Sequence, residues 1–250
     1  MSTHRFYLAP ARWLEEHPGL EEADAHHCAD VLRLGTGDKV VIFDGQGNEA
    51  AAELLEVSRK HTRLAIGPRI TTPKPRCLIT LAQAVPKARN MDLIIQKGVE
   101  LGASAIIPIL SERTVVRLED AGDALRKQER WQSIAIEACK QCGQNWMPEI
   151  GLPRTTREFL SSPPKADLTL IASLQPDARS IKEVLEVTQS SQGKLPRSVV
   201  VMVGPEGDFT PAETALARSA GAAAITLGPI ILRTETAALY CLSVLGHELF

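Results

Sequence analysis

The pattern of hydrophobic and polar positions changes once along the chain, close to residue 72. Before that point, three strand-length apolar runs at 39–45, 48–57 and 61–70 predict β-strands. The glycines of "DGQGN" between the first two runs predict a hairpin, because glycine adopts a positive φ without steric strain. A helix is predicted at about residues 25–34, before Gly35. This part of the chain is therefore expected to form a small β-barrel or sheet.

Strand-like and helix-like patterns alternate after the linker-like stretch "TTPKPR". Each of five apolar strand runs precedes a helical pattern, and this order predicts an α/β domain with a mainly parallel sheet. Such sheets bind ligands beyond the carboxyl ends of their strands, so the loops after Val203 and Gly228 are the predicted site. The five strand runs span residues 78–85, 104–110, 167–174, 198–203 and 223–228.

The loop "VGPEGDFTPAE" joins the fourth strand run to a helix. Thr210, Pro211 and Glu213 have the form of a helix start, with a hydroxyl cap, a proline at the first helical position and a glutamate that closes a capping box. The preceding turn contains Gly204 and Gly207, which permit the backbone to approach a bound molecule closely. We therefore expect a ligand against this turn.

Known phosphate-binding loops differ from this one. Pro205 removes an amide donor, no lysine follows, and the carboxylates of Glu206 and Asp208 would repel phosphate. A neutral or cationic ligand is predicted instead.

A second polar loop lies within "LGPIILRTETAALYCL", between a buried strand run and an apolar helix. Thr234 or Thr236 is expected to cap that helix, and Glu235 complements the helix dipole. Capping does not explain Arg233, which stands near the positive end of the dipole. The loop is therefore expected to face a ligand as well.

Size and composition place the chain among globular proteins. With 250 residues, of which 44% are hydrophobic, it is long enough for one large or two smaller domains, and its two patterns favour two. No apolar run has the length of a membrane span or of a secretory leader, so a soluble, cytoplasmic protein is expected. Five scattered cysteines favour reduced thiols over a disulfide framework.

Charge is distributed unevenly along the chain, although the formal net charge is only −2. Residues 73–160 hold 13 Lys and Arg against 10 Asp and Glu and are the only basic third. A bound polyanion would therefore be met by local cations rather than by the field of the whole protein. The alternative is that these cations are ordinary solvated charges.

Two short motifs contain residue types that bind metals. Cys139-x-x-Cys142 has no second closely spaced pair to complete four zinc ligands, so a structural role is favoured. The run "HHC" at 26–28 is also unsuitable, because adjacent side chains on a helix point about 100° apart. No metal is expected. Trp146 is assigned either to core packing or to contact with a nucleic-acid base.

Two motifs, "VGPEGDFTPAE" and "LGPIILRTETAAL", strongly resemble the RsmE family of ribosomal RNA uridine N3-methyltransferases, members of the SPOUT class. The resemblance extends to "VLRLGTGD", "IFDGQG", "DLIIQKGVELGASAIIPILSERTVV" and "IAIEACKQCGQNWMPEI". It implies a PUA-like β-barrel at residues 1–72 and, at 73–250, an α/β methyltransferase domain with a SPOUT-type parallel sheet and a C-terminal trefoil knot. It also implies a homodimer.

The same resemblance implies an activity. The family uses S-adenosyl-L-methionine to methylate N3 of one uridine in 16S ribosomal RNA, and we expect the substrate to be an assembled small subunit, with no metal and no membrane partner. Arg233 is the first candidate for stabilising negative charge on the deprotonated uracil ring, and Arg5 is the second. Glu206 or Glu235 is the candidate to accept the proton or to hold the cofactor's amino group.

The resemblance assigns residues to a cofactor-binding surface, whereas the basic middle of the chain, with Arg5 and Arg33 added from the barrel, predicts the RNA-binding surface. The expected cofactor-binding residues are Leu174, Gly204, Pro205, Glu206, Gly207, Leu227, Gly228, Pro229, Leu232, Thr234, Glu235, Thr236 and Ala237. The expected RNA-binding residues are Arg5, Arg33, Lys74, Arg76, Lys87, Arg89, Arg113 and Arg117.

Three positions depart from the family pattern. Gln144 stands where most relatives have arginine, Gln175 where histidine is frequent, and Asp208 where glycine is usual. The first departure removes an expected RNA-facing cation, and the third alters the rim of the cofactor loop.

Two alternative functions are left open by the residues. A non-catalytic RNA-binding dimer would have little need of two polar loops at one sheet edge, which argues against it. A SPOUT enzyme that methylates a ribose 2′-hydroxyl would share both loops. The products differ, because N3 methylation blocks the Watson–Crick edge of uracil and stops reverse transcriptase, whereas a 2′-O-methyl group leaves base pairing intact.

Overall fold

The computed structural model describes residues 4–16, 18–20, 22–87, 89–116 and 120–250. The chain divides into two compact units. The first comprises the residues up to Lys74 together with Ile136–Met147, and the second comprises Pro75–Ala135 and Pro148–Phe250. One boundary thus falls at Lys74, and the first unit also takes in a later segment that the hydrophobic pattern does not set apart.

A five-stranded sheet forms the body of the first unit. Its strands follow the order β1-β2-β3-β4, with β5 paired to β3, and all pairs are antiparallel except β1 with β2. The strand order brings one face of β2, β3 and β4 onto a common core that includes Ile42, Leu54 and Leu64. The strands are β1 (Arg5–Tyr7), β2 (Lys39–Phe43), β3 (Asn48–Val57), β4 (Thr62–Ile66) and β5 (Ile70–Thr71).

The helices of the first unit are short. A 3₁₀-helix spans Pro10–Leu14, and α1 (Glu22–His26) continues as one wide turn, His27–Val31. The helix predicted at 25–34 is therefore present, but it begins and ends about three residues earlier. The predicted hairpin is also present, and Gly45 and Gly47 both have positive φ, 70° and 92°.

The later segment of the first unit packs on that hairpin. The indole N–H of Trp146 donates to the carbonyl oxygens of Thr72 and Pro73, at 3.0 and 3.1 Å. A Cβ on Gly47 would lie 2.4 Å from the Trp146 ring, so only glycine leaves room for it. Asn145 accepts a hydrogen bond from a guanidinium N–H of Arg5 at 2.6 Å. Trp146 is therefore a packing residue.

A seven-stranded, fully parallel sheet organises the second unit, which confirms the predicted α/β architecture. Its order is β12-β10-β11-β6-β7-β8, and β9 pairs with β7. The two shortest strands, β8 and β9, were not predicted, because two residues carry no hydrophobic period. The strands are β6 (Leu78–Ala84), β7 (Ala105–Leu110), β8 (Glu149–Ile150), β9 (Arg154–Thr155), β10 (Leu168–Ala172), β11 (Ser198–Val203) and β12 (Ala223–Ile225).

Helices follow the long strands as the alternating pattern predicts. An additional short helix, α4, begins at a capping box formed by Thr155 and Glu158. Further core side chains, including Phe159 of α4 and Phe209, cover one face of the sheet. The remaining helices are α2 (Asn90–Glu100), α3 (Ala121–Cys142), α5 (Ile181–Gln192), α6 (Pro211–Ser219) and α7 (Thr234–Leu249), and α4 spans Thr156–Ser161.

The strand order places three loops at one edge of the sheet. Strands β12, β10 and β11 are neighbours and run parallel, so their carboxyl ends open on the same side. The loops after Ala172, Val203 and Ile225 therefore meet there.

Candidate functional site

A cleft lies between these three loops, at the carboxyl edge of the sheet. It is a partly open cleft that encloses about 560 Å³ of space when its solvent-filled mouth is included. Its walls are mostly apolar side chains and backbone. The lining residues are Ala172, Ser173, Leu174, Val203, Gly204, Pro205, Glu206, Asp208, Leu227, Gly228, Ile230, Ile231, Leu232, Thr234 and Ala237.

The turn after β11 is fixed at both ends. The Thr210 hydroxyl accepts from the backbone N–H of Glu213, and the Glu213 carboxylate accepts from that of Thr210, so the predicted capping box is confirmed. Gly204 is required for space rather than for φ, because a Cβ there would lie 3.0 Å from Oδ1 of Asp208 and 3.1 Å from the backbone nitrogen of Phe209. The turn therefore folds back tightly on itself beside the cleft.

Asp208 adopts a left-handed backbone conformation, with φ of 59°. Only glycine, asparagine and aspartate adopt this conformation readily, which explains why aspartate is tolerated here. Its Oδ1 accepts a hydrogen bond from the backbone N–H of Phe209 at 2.8 Å. Burial raises the pKa of the Asp208 carboxyl above its ordinary value, against the opposing effect of that hydrogen bond.

We expect the stability of an Asp208→Asn variant, relative to wild type, to increase as the pH rises. Because the folded-state pKa is raised above 3.8, the folded protein retains the proton at pH values where the unfolded chain has lost it. Below both pKa values the carboxyl is protonated in the folded and the unfolded state and does not change the free energy of unfolding. Its destabilising effect on the wild type develops as the pH rises through the folded pKa. Urea denaturation from about pH 4 to about pH 7 measures this difference.

Asp177→Asn is the control for the sign of that effect. The pKa of Asp177 is lowered, first by hydrogen bonds from Arg218, so its contribution to stability is present above 3.8 and is lost as the pH falls through the folded value. This variant should therefore lose stability relative to wild type at neutral pH. Equal, pH-independent differences for both variants would contradict the assignment of a raised pKa to Asp208.

The loop after β12 reaches α7 without a side-chain cap. The helix begins at Thr234, its N-cap residue is Arg233, and no side chain caps it, so the prediction that a threonine caps α7 is wrong. The Thr234 hydroxyl is used elsewhere, since it donates to the carbonyl oxygen of Gly204 at 2.6 Å. Gly228, with φ of 110°, supplies a backbone conformation that other residues adopt only with strain.

The first residue of α2 and the turn before it bind two candidate carboxylates. The backbone N–H of Lys87 donates to Oε1 of Glu206 at 2.8 Å. The side-chain amide of Asn90 donates to Oε2 of Glu235 at 3.3 Å. One segment thus contacts both of the loops that the sequence predicts to bind a ligand.

Glu213 links the start of α6 to two neighbouring segments by hydrogen bonds. Its side chain is buried, and Oε1 accepts from the backbone N–H of Glu112 at 3.1 Å and from the Thr156 hydroxyl at 2.5 Å. Next to Glu112, the Arg113 guanidinium donates to the carbonyl oxygen of Gly207. The loop after β7 and the start of α4 therefore hold the turn after β11 in place.

The charge of the cleft is negative. Glu206 and Asp208 are the charged residues among those described as lining it, and neither a lysine nor an arginine belongs to that set. This arrangement disfavours phosphate and favours a neutral or cationic ligand, as the loop sequence predicts.

Most of the expected cofactor residues line the cleft. Four do not line it: Gly207 and Pro229 lie in the same loops, and Glu235 and Thr236 lie in the first turn of α7. Six lining residues are absent from the expected set; four are apolar residues without a signal of their own, and the other two, Ser173 and Asp208, are polar. The six are Ala172, Ser173, Val203, Ile230 and Ile231, together with Asp208.

Among the expected RNA-binding cations of the first unit, Arg5 is already paired. Its guanidinium donates to Glu49 at 2.7 Å and lies 5.0 Å from the centre of the Phe43 ring. The Arg5 side chain is only 14% exposed. Arg33 is exposed and has a left-handed backbone, and the exposed Lys74 lies over the Trp146 ring at 5.3 Å.

The other expected RNA-binding cations belong to the second unit. Arg76, Lys87 and Arg89 are exposed. The guanidinium of Arg113 already donates a hydrogen bond to the carbonyl oxygen of Gly207. Arg117 lies outside the described residues.

The cysteines of the described segments are free thiols. Burial raises the pKa of Cys139 to about 12, so its thiol is unreactive, and Cys142 is exposed near the end of α3. No cluster of three or more potential metal ligands occurs within the described ranges. No helix in those ranges is both long and apolar enough to cross a membrane.

Comparison with known proteins identifies the family. The RNA methyltransferase domain model matches residues 72–246, and the RNA methyltransferase PUA domain model matches residues 20–66. The ribosomal RNA small subunit methyltransferase E of Bacillus subtilis (strain 168) is 33% identical over 240 residues, which are 94% of this chain and 92% of that protein. The chain belongs to the ribosomal RNA small subunit methyltransferase E family. The resemblance read from the two loop motifs is thereby confirmed, as is the expectation of a methyltransferase.

Solved members and relatives of the methyltransferase E family share the fold. The ribosomal RNA small subunit methyltransferase E from Neisseria gonorrhoeae, solved bound to S-adenosyl methionine, is 32% identical with a TM-score of 0.84, covering 99% of this chain and 98% of that one. A Legionella pneumophila protein, solved in complex with the bound cofactor SAM, is 30% identical with a TM-score of 0.87 and the same coverage.

Proposed function

We propose that this protein transfers a methyl group from S-adenosylmethionine to N3 of a specific uridine in 16S ribosomal RNA. The observation that carries the proposal is the negatively charged cleft between the two family motifs. It is supported by relatives of 30% and 32% identity that were solved with S-adenosylmethionine. Isothermal titration of the cofactor, followed by methylation of small subunits that lack the modification, tests both halves of the proposal.

The cleft suits S-adenosylmethionine by its chemistry. Apolar side chains such as Leu174 and Ile230 can pack against the adenine ring, and backbone groups of Gly204 and Leu227 can form hydrogen bonds with the cofactor. The carboxylates of Glu206 and Asp208 complement the positive sulfonium. When bound, the cofactor supplies a methyl group on that sulfonium sulfur, which keeps the electron pair of the broken S–CH₃ bond.

Arg233 is the residue we assign to the uracil. N3 of uracil carries a proton and is a poor nucleophile, so the enzyme must favour the deprotonated ring, whose negative charge spreads over O2 and O4. Arg233 is exposed beside the cleft, and its guanidinium makes no hydrogen bond or ion pair with the described part of the chain. Its guanidinium is thus free to stabilise that charge. Arg5, paired with Glu49, is the weaker candidate.

Glu206 and Glu235 are the candidates for the proton that leaves N3. Glu206 accepts a hydrogen bond from the backbone of Lys87, just before α2, and Glu235 accepts one from the side chain of Asn90, the first residue of α2. Both are carboxylates within reach of solvent, so a proton accepted there can pass to water.

A ribose 2′-O-methyltransferase is the second candidate for this fold. Primer extension on treated ribosomal RNA separates the two, because a methyl group at N3 stops reverse transcriptase and one on the ribose leaves base pairing intact. A product that is read through at every position would exclude N3 as the target.

We further propose the arrangement expected of the SPOUT class, in which the loops after β11 and β12 thread into a trefoil knot. The two segments that would thread are in contact, since the Thr234 hydroxyl at the start of α7 donates to the carbonyl oxygen of Gly204 in the loop after β11. We also propose a homodimer that acts in the cytoplasm on assembled small subunits. Exposed apolar side chains beside the cleft support dimerisation, namely Leu174 at 63%, Ile230 at 73% and Ile231 at 77% exposure. Light scattering measures the oligomeric state.

Replacing Lys87 and Arg89 with alanine is expected to weaken RNA binding and to flatten its dependence on salt. Both side chains are exposed at the sheet edge, and each cation that neutralises a phosphate contributes about one counterion to the salt slope. The bond to Glu206 comes from the backbone of Lys87, so alanine retains it and cofactor affinity should not change. Binding titrations at several salt concentrations measure both effects, and unchanged RNA affinity throughout would place the RNA surface elsewhere.

A further inference from the structure

A buried glutamine interrupts the apolar face of the central strand β6. Alternate residues of a strand share a face, so Gln83 lies on the same face as Ile79 and Leu81, and all three are fully buried. In register, Gln83 faces Val203 of β11 on one side and Pro108 of β7 on the other. A third aliphatic side chain would be the ordinary choice at this position.

The side-chain amide of Gln83 is committed to two acceptors. Its Nε2 donates to the carbonyl oxygen of Ala84 at 2.8 Å and to the Thr234 hydroxyl oxygen at 3.0 Å. The Thr234 hydroxyl in turn donates to the carbonyl oxygen of Gly204 at 2.6 Å. A continuous chain of hydrogen bonds therefore runs from the centre of the sheet, through the start of α7, to the first residue of the glycine turn.

Burying Gln83 to form these hydrogen bonds leaves one of its polar atoms unsatisfied. Its Oε1 is buried and has no hydrogen-bond partner in the structure as described. An unsatisfied buried carbonyl oxygen is destabilising by at least as much as a typical hydrogen bond stabilises. Stability alone therefore gives no reason for glutamine at this position, and an aliphatic side chain of similar volume would serve the core equally well.

We infer that Gln83 is a positioning residue for the cofactor cleft, fixing the separation of its two principal loops through Thr234. Gly204 and Thr234 both line the cleft, and each belongs to a different loop. Thr234 accepts from Gln83 and donates to Gly204, so its hydroxyl has a single direction and cannot rotate toward solvent. This inference rests on the proposed function in naming S-adenosylmethionine as the ligand.

In a Gln83 variant, cofactor affinity should fall without a loss of stability, which a purely structural role for Gln83 would not produce. In Gln83→Met, the core keeps an unbranched side chain of similar size and loses the orphaned oxygen. We expect its midpoint of urea denaturation, without ligand, to equal or exceed that of wild type. Its dissociation constant for S-adenosylmethionine should rise about tenfold, the effect expected when the hydrogen bond that positions a binding loop is lost.

Thr188→Val is the matched control. Thr188 is also a buried polar residue, and its hydroxyl bonds only within α5, to Val184. This variant should bind the cofactor as wild type does. Thr234→Val should lose cofactor affinity as Gln83→Met does, whereas Thr234→Ser, which keeps the hydroxyl, should bind as wild type. The double variant Gln83→Met/Thr234→Val should bind the cofactor no more weakly than the weaker-binding of the two single variants.

Hydrogen exchange of the ligand-free protein tests the positioning role without any ligand. Exchange at residues 204–207 should become several times faster in Gln83→Met, and exchange in α5 should not change. If wild type did not bind S-adenosylmethionine, the proposed function would fail while the exchange result still decided the role of Gln83. Unchanged exchange and affinity in Gln83→Met, or a parallel loss of affinity and stability, would overturn the inference.

Discussion

Replacing Arg233 with alanine is expected to lower kcat about 10²- to 10³-fold, with less than about a twofold change in the dissociation constant of S-adenosylmethionine. The guanidinium is exposed at the N-cap of α7 and has no partner in the described chain, so its loss leaves the fold and the cleft intact. What disappears is a positive charge beside the uracil oxygens, where negative charge develops as N3 loses its proton. Single-turnover methylation and isothermal titration measure the two quantities.

Two further variants make the Arg233 experiment specific. Arg233→Lys keeps the charge and loses the planar fork, so it should retain an intermediate kcat. Arg197→Ala removes an equally exposed arginine that precedes β11, at the opposite edge of the sheet, and it should behave as wild type. If Arg233→Ala turned over normally, Arg233 would have no part in the chemistry.

Glu213→Ala is expected to lower the free energy of unfolding by about 3 kcal/mol. The substitution removes the glutamate half of the α6 capping box, a hydrogen bond from the backbone N–H of Thr210 worth about 1 kcal/mol, while Thr210 still caps the helix. It also leaves the backbone N–H of Glu112 and the buried hydroxyl of Thr156 without their acceptor, at about 1 kcal/mol each. Because the turn after β11 loses these stabilising hydrogen bonds, cofactor affinity should fall as well. Urea denaturation and titration report the two losses.

An identical capping box elsewhere provides the control. Glu183 occupies the same position at the start of α5, where it is exposed and bonds only to Ser180. Glu183→Ala should therefore cost only about 1 kcal/mol and leave cofactor binding unchanged. Equal destabilisation by the two alanine variants would show that the contacts of Glu213 with Glu112 and Thr156 contribute nothing.

The parallel sheet could be predicted from the sequence because its long strands are almost uniformly apolar. The run 198–203 coincides with β11, and 78–85 exceeds β6 by one residue. Strands of two residues, such as Glu149–Ile150, have no period and could not be found. The start of α6 was predictable because Thr210, Pro211 and Glu213 signal it locally, whereas α7 begins at Thr234 with no cap.

The residues that support the cleft were harder to predict than those that line it. The turn after β11 and the loop before α7 carry their own motifs, so both could be placed at one sheet edge. Gln83 and Thr234 are 151 positions apart, and Glu213 and Glu112 are 101 positions apart. Such pairs have no local signal, because only the completed sheet brings them together.

The discontinuity of the first unit affects how the protein folds during synthesis. Arg5 and the Gly47 turn find Asn145 and Trp146 only after residue 147 has left the ribosome exit tunnel. Until then, the first unit is incomplete in the nascent chain. At that stage β6 and β7 have already emerged, but β11, the other neighbour of β6, has not yet been synthesised. Pairing over such separations slows folding, so the order of completion differs from the order of translation. A fragment released at Lys74 would lack these partners, and the N-terminal unit should therefore be obtained from the whole chain rather than from its first third.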